Sequence, residues 1–523
     1  MKQWWRALGL GWLVLGLGWL ACGQHPLDVL VFGRGSDSVG LDPALENDGE
    51  SFKVCDNLYE TLVTYERQST AIRPLLARSW EVSADRLVWT FHLRTDVRFH
   101  DGTPFNAPAT LFSLGRQFFA DHPFHQVQGA FKYWKDMGMD EIVAGMEAPD
   151  DSTFVVRLKQ PNAPFLSNLA MNFCAAVSPT AVEKYGRDYF RHPVGTGPFR
   201  LVEWRKDERL VLERNEDYWG EKARLRRLIF KPVQDPSVRF LELKTGAVQG
   251  LDDLNPELVP EVQADPQLQL LIQPGMNVGY LAMNMDKPPF DNPLVRLALN
   301  HAIDKQSLVD NFYQGLAQAA VNPIPPTMWG YNDTIAAYAH DPERARDLLR
   351  QAGFPNGFDT ELWAMPVSRP YMPQPDKIAQ AIQADLAKVG VRAQIVQWEW
   401  GTYLDKVSNG EHPMALLGWT GDNGDPDNFL YVLLDLAAAE KPAANIAFYR
   451  SEEVHRLLGE ARRQPDQAVR ADLYRQVQEL VHRDVPWVPL VHATQTITFG
   501  RQVRGFSLHP TGSHWFHQVF LEQ

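Results

Sequence analysis

"IAQAIQADLAKVGVRAQIVQW", residues 378–398, changes its hydrophobic period halfway along. Ile378, Ile382, Leu386 and Val389 fall on one face of a helix, Gly390 stops it, and residues 391–398 read as a strand. Strand, helix and strand in this order describe an α/β unit. The same grammar recurs nearby. Asn292-Pro293 supplies a cap and a first-turn proline ahead of an apolar face built from Leu294, Val295, Leu297, Ala298, Ala302 and Ile303. In "DPERARDLLRQAG" Asp341 caps, Pro342 starts, Leu348 and Leu349 pack, and Gly353 stops. A last amphipathic helix is expected over about 465–482, before the apolar "VPWVPLV".

Strands dominate the first half. In "RLVWTFHLRTDVRFHDGTPF" (86–105), Leu87, Trp89, Phe91 and Leu93 alternate with Val88, Thr90, His92 and Arg94, the pattern of a half-buried strand. Asp101-Gly102 is a strong turn. Residues 199–214 give two short strands around a polar turn, and 224–233 another, with a helix around Ala107–Phe119. No internal repeat or flexible linker separates these stretches.

With 523 residues the chain exceeds what one core usually organises, and about three domain-sized units are expected. The formal charge of −13, with no basic cluster able to track phosphates, argues against nucleic acid as a partner. The first residues stand apart. Lys2 and Arg6 precede an unbroken apolar run from Ala7 to Ala21, the form of a secretory signal and too short for a comfortable membrane span. Cys22 ends the run. "Trp-Leu-Ala-Cys" resembles a bacterial lipobox, which would make Cys22 a lipid-attachment site and the only membrane contact. Cleavage after Gly23, with Ala21 and Gly23 as the small pair, is the alternative. Either way the mature protein works outside the cytoplasm. Export leaves Cys55 and Cys174 free to pair or to stay apart, a choice the spacing does not make.

Catalytic signatures are missing. The chain has no His-Glu-x-x-His, no Gly-x-Ser-x-Gly and no Walker loop, and its 15 His are scattered without ligand spacing. "VGTGPF" (194–199) lacks the lysine and helix of a phosphate cradle and reads as a tight turn. "GWTGDNGDPDN" (418–428) is the puzzle: a run that looks buried, Met414 to Trp419, opens into a loop carrying Asp422, Asp425 and Asp427. Pro426, Phe429 and the lack of a closing glutamate do not suit a calcium loop. Either the loop lies in water or a cation comes to it. For Asp425 and Asp427 the expectation is solvated turn chemistry, Asp425 standing before Pro426.

Longer motifs carry a resemblance. "HLRTDVRFHDGTPF" (92–105), "GTGPF" (195–199), "PGMNVGYLAMN" (274–284), "NPLVRLALNHAIDK" (292–305), "IPPTMWGYND" (324–333), "LWAMPVSRPY" (362–371) and "GWTGDNGDPDNF" (418–429) are similar to the peptide-binding proteins of bacterial ABC importers, solute-binding family 5, and to their dipeptide-binding members in particular. The resemblance runs from about residue 28 to the C-terminus. It implies an α/β fold like that of type II periplasmic binding proteins, two large lobes around a cleft with an extra small lobe. On that outline residues 1–23 are the signal peptide, and 24–60, 192–276 and 490–523 form lobe one. Residues 61–191 form the small lobe and 277–489 lobe two, with hinge crossings near Gly275 and Leu490.

The resemblance also implies roles. Asp422 matches the aspartate that binds a peptide's α-ammonium, and Arg369 the arginine that grips its carboxylate with a planar fork. Two fixed anchors select ligand length. Between them Gly418, Trp419 and Thr420 would offer backbone groups to an extended peptide, with Val39 and Gly40 of "SVGLDPA" as a weaker facing edge. Trp363, Trp398, Trp400 and Tyr371 are expected as core or cleft wall. Disulfides that such binders can carry are in doubt here, because Phe32 stands in the first strand. The implied function is capture of dipeptides in the periplasm and delivery to a membrane permease by a monomer without catalysis, cofactor or metal. Rivals on the same fold would carry haem, glutathione, longer peptides or a metal chelate. A secreted peptidase is the rival of another class, with no spacing for a nucleophile and base.

Overall fold

The change of period at Gly390 is a crossover in the structure. In a computed structural model that describes residues 28–128 and 131–522, helix Pro375–Lys388 connects strand Asp359–Trp363 to strand Arg392–Val396. The two strands pair in parallel, Asp359 opposite Arg392. Ile378, Ile382 and Leu386 are fully buried beneath the helix. The caps lie where the polar residues placed them. Asn292 accepts from the Leu294 N–H at the start of Pro293–Ala302, and Asp341 from the Arg344 N–H at the start of Pro342–Gln351. The last long helix is Gln467–Asp484, capped by Asp466.

Three main sheets organise the chain. The first has seven strands in the order Leu268–Gln273, Gln495–Gly500, Gly250–Asp252, Val29–Arg34, Arg227–Pro232, Arg209–Arg214, Phe199–Arg205. The second has six: Ala317–Ala319, Trp487–Ala493, Asn277–Met283, Met414–Thr420, Asp359–Trp363, Arg392–Val396. The third is a four-stranded antiparallel sheet of Ala77–Val82, Val88–Leu93, Thr153–Leu158 and Val143–Asp150. Along Val88–Leu93, Phe91 and Leu93 are buried while the alternate residues stay partly open. The chain enters the first sheet three times, which explains why no linker shows in the sequence.

Two crossings join the first and second sheets. One passes Gly275, between Gln273 and Asn277. The other is Thr494, between Ala493 and Gln495, so it does not lie at Leu490: that residue sits inside Trp487–Ala493, which pairs with Asn277–Met283 and Ala317–Ala319 of the second sheet. The crossings touch. The buried Asn277 side chain donates to the Ala493 carbonyl at 2.8 Å and accepts from the Ala493 N–H at 2.9 Å. A Cβ on Gly275 would stand 2.0 Å from the Ala493 carbonyl oxygen, so only glycine lets the two strands approach this closely.

Cys55 and Cys174 are separate buried thiols, which decides the open question of their pairing. The secretory leader and Cys22 lie outside the described residues. Among those residues no helix is long and apolar enough to cross a membrane.

Candidate functional site

A cavity of about 740 Å³ lies between the first and second sheets, with residues from 61–75 and 131–136 forming part of its wall. One wall is the end of Met414–Thr420. This strand is paired along one edge with Asn277–Met283 over its whole length, but on the other edge Asp359–Trp363 reaches only Met414 and Ala415. Beyond that point Gly418, Trp419 and Thr420 border the cavity. A Cβ on Gly418 would come within 2.4 Å of the Tyr371 ring, which also lines the space. The Trp419 indole donates to Asn428 Oδ1 at 3.0 Å, and the same oxygen takes the Asp422 N–H at 2.9 Å. One amide thus fixes both the strand end and the loop after it.

Asp422 borders the cavity half-buried. Its carboxylate accepts from the Tyr133 hydroxyl, and its carbonyl accepts from the Tyr65 hydroxyl at 3.0 Å. Both tyrosines come from the 61–191 segment. Burial pushes the Asp422 carboxyl up to about 7; the Tyr133 hydrogen bond opposes this, and the Asp56 charge adds to it. A carboxylate held this way gains from any cation that enters the cavity.

Arg369 lines the same cavity and is buried. Its guanidinium already has partners across the cleft: Asp48 Oδ1 at 3.5 Å and Glu50 Oε1 at 3.3 Å. Asp48 has two duties. One oxygen caps helix Gly49–Leu58 by accepting from the Ser51 N–H at 3.0 Å, and the other accepts from the Trp400 indole at 3.0 Å. Nearby, Gln374 donates to Asn255 at 3.1 Å. These contacts tie the first sheet's side of the cavity to the second's, and those of Tyr65 and Tyr133 tie the 61–191 segment to Asp422. This arrangement is a closed form.

The remaining expected residues divide. Val39 borders the cavity, but its N–H is given to Ser51 Oγ at 3.0 Å. Gly40 is not in the cavity wall; it packs on Glu46, whose Oε1 would stand 2.0 Å from an added Cβ. Trp400 and Tyr371 are cleft wall, Trp363 is core, and Trp398 is exposed. Asp425 and Asp427 depart from the expected solvated turn. Neither is solvated: Asp425 is paired with the buried Arg470 at 2.7 Å, and Asp427 lies 3.6 Å from the buried Arg462. Tyr65, Tyr133, Asp48 and Glu50, which hold Asp422 and Arg369 in place, carry no local sequence signal that marks them.

The family model for bacterial extracellular solute-binding proteins, family 5, matches residues 71–440. The chain is 39% identical over 507 residues to the dipeptide-binding protein of Escherichia coli K12, covering 94% of this chain and 95% of that protein. It is 38% identical over 508 residues to haem-binding protein A of Haemophilus influenzae, covering 95% of this chain and 92% of the relative. Among solved structures, a periplasmic binding protein from Helicobacter pylori in complex with the peptide STSA superposes with a TM-score of 0.90 at 41% identity, covering 95% of this chain and 98% of the other.

Proposed function

The chain belongs to the family 5 bacterial extracellular solute-binding proteins, and from that premise we propose that it captures short peptides, dipeptides first, and hands them to the membrane permease of an ABC importer. The observation that carries this reading is the placing of Asp422 and Arg369 on the wall of one cavity, with an unpaired strand edge at Gly418–Thr420 between lobes that meet around it. An ammonium would meet Asp422 and a carboxylate would meet Arg369. Main-chain groups would hold the span between them without reading side chains. The ligand contributes by touching both lobes only when they close, since equal affinity for open and closed forms would shift nothing. The protein binds without catalysis, acts in the periplasm as a monomer, and has either a lipid on Cys22 or an N-terminus cleaved after Gly23.

Titrating tryptophan emission with Ala-Ala, a tetrapeptide, glutathione and haem tests the cargo. Ala-Ala should saturate at micromolar concentration, about 8 kcal/mol. The Asp422→Asn variant should lose about 2–3 kcal/mol, on the order of 100-fold, because a charge-assisted bond is removed from a buried site. Haem binding with no response to any peptide would overturn the reading in favour of the function that the Haemophilus relative's name describes. Hydrolysis of the peptide during incubation, read by mass spectrometry, would overturn the transport role.

A further inference from the structure

Tyr133 belongs to the 61–191 segment, on the short helix Lys132–Asp136, yet its side chain meets both other parts of the molecule. Its ring stacks on Phe52 of helix Gly49–Leu58, on the first sheet's side of the cavity, with centroids 5.8 Å apart. It lies edge-on to Trp419 of the second sheet at 6.0 Å and packs on Phe173 of its own segment at 5.4 Å. Its hydroxyl donates to Asp422 Oδ2. The helix is fixed at both ends. Phe131, just before it, has φ of 38°, a left-handed conformation that is costly for a non-glycine residue. Met137, just after it, gives its carbonyl to Arg462 at 2.8 Å. The Met137 sulfur accepts at 3.7 Å from the Asn428 amide, the same side chain that holds the Trp419 indole and the Asp422 N–H.

Packing alone does not account for the hydroxyl. Phenylalanine would make the same three ring contacts. Tyr133 is only 2% exposed, so its hydroxyl has left water and needs an acceptor. The acceptor it has is the acid read above as the ammonium's partner. With Oδ2 taken, Asp422 has Oδ1 left. No donor among the described residues meets Oδ1, which keeps surface open on the cavity that Asp422 borders. The titratable groups about the pair are three. Asp56, on helix Gly49–Leu58, opposes ionisation of Asp422 by its charge; Tyr65 donates to the Asp422 carbonyl; Asp136 is paired with Lys132 at 2.6 Å.

We propose that Tyr133 is a positioning residue for the cargo's ammonium: its ring, gripped from three sides, holds the hydroxyl on Asp422 Oδ2 so that Oδ1 is turned to the cavity. This rests on the reading that Asp422 meets the ammonium. The same hydrogen bond favours the ionised acid, since burial raises the carboxyl and the Tyr133 hydroxyl lowers it. A proton on Asp422 and an ammonium at Oδ1 compete, and the hydroxyl tips that competition towards the ammonium. Its loss should therefore be felt most at acid pH, where the proton is the stronger competitor.

Calorimetry with Ala-Ala at pH 6 and pH 8.5, on the wild type and on Tyr133→Phe, tests this. The variant keeps the ring and loses the hydroxyl, and circular dichroism and melting check its fold. Its Asp422 should titrate about one pH unit higher, so Ala-Ala should weaken about tenfold at pH 6 and only a few-fold at pH 8.5. Asp56 and the peptide's own ammonium titrate in both proteins and cancel in the ratio. A loss of the same factor at both pH values overturns the proposal and leaves Tyr133 a packing residue. No loss at either pH overturns it too. Should Tyr133→Phe not fold, Phe52→Leu loosens the grip on the ring and keeps the hydroxyl. That variant should also lose more at pH 6 than at pH 8.5, and an equal loss or none overturns the proposal. Asp422→Asn separates the two readings: if it binds Ala-Ala as tightly as the wild type, the ammonium reading itself falls, and the role of Tyr133 with it.

Discussion

Asp422 shows how one side chain's neighbours set the conditions of binding. Burial holds its carboxyl up at about 7 in the cavity wall. An incoming ammonium favours the ionised form, so binding must expel the proton wherever the group still holds one. The affinity for a dipeptide should therefore be greatest between about pH 7 and 8, fall by up to about tenfold per unit as pH drops below 7, and fall again above about 8 as the peptide's own α-ammonium loses its proton. Calorimetry at pH 6 in two buffers of different ionisation enthalpy should register close to one proton released per peptide. An affinity unchanged from pH 8 to 5.5 would remove Asp422 from the ammonium's path. On the proposed reading Arg369 has a double task, because it borders the cavity and also pairs with acids across the cleft. Arg369→Ala should weaken dipeptides far more than longer peptides with blocked C-termini, and should also open the ligand-free protein by releasing Asp48 and Glu50. Scattering that shows no change in dimensions would limit the residue to the cargo.

At the scale of elements, the end of strand Met414–Thr420 decides the most. Gly418 is small because the Tyr371 ring lies against its Cα. Gly418→Ala should push that ring into the cavity, cost about 1–3 kcal/mol of stability as overpacking does, and weaken peptide binding in step. Thermal melting and a peptide titration of the same sample test this. If affinity stays intact at a lowered Tm, the ring does not shape the ligand's space. Much at this scale was legible beforehand. The helix Pro375–Lys388 and the caps at Asn292 and Asp341 follow from signals confined to a few neighbouring residues. Asp422 and Arg369 could be named only through resemblance, since no period or cap marks them. What was hidden depends on distance along the chain. Asp425 looked like a wet turn because Arg470 lies 45 residues away, and Tyr133 meets Asp422 across 289. The second crossing was misplaced for a related reason. "VPWVPLV" is apolar throughout and gives no sign of which sheet takes it until its pairing is seen.

For the whole molecule, buried acids and buried histidines set opposite dependences on pH. Burial pushes Glu46 up to about 8 and Glu60 and Asp422 up to about 7. Folded protein thus holds protons that the unfolded chain has lost, and this contribution to stability disappears as pH rises through those values. Burial pulls His100, His492 and His514 down to about 4, so the unfolded chain binds the extra protons below about 6.5 and stability rises with pH there. The two trends offset each other below 6.5. Above it the histidine contribution fades within about a unit while the acids continue to act, and stability should decline from pH 6.5 to 8 by on the order of 2 kcal/mol, a few degrees in Tm. A melting temperature that climbs over that interval would show that the three carboxyls are already ionised in the fold.

The Asn277 amide stitches both interlobe strands into a single seam. Moving one strand without the other would break both hydrogen bonds, which favours bending at the two crossings together over independent movement of either. On the proposed function, such paired bending would let a loaded molecule differ from an empty one in the angle between its lobes, whatever side chains the cargo brings.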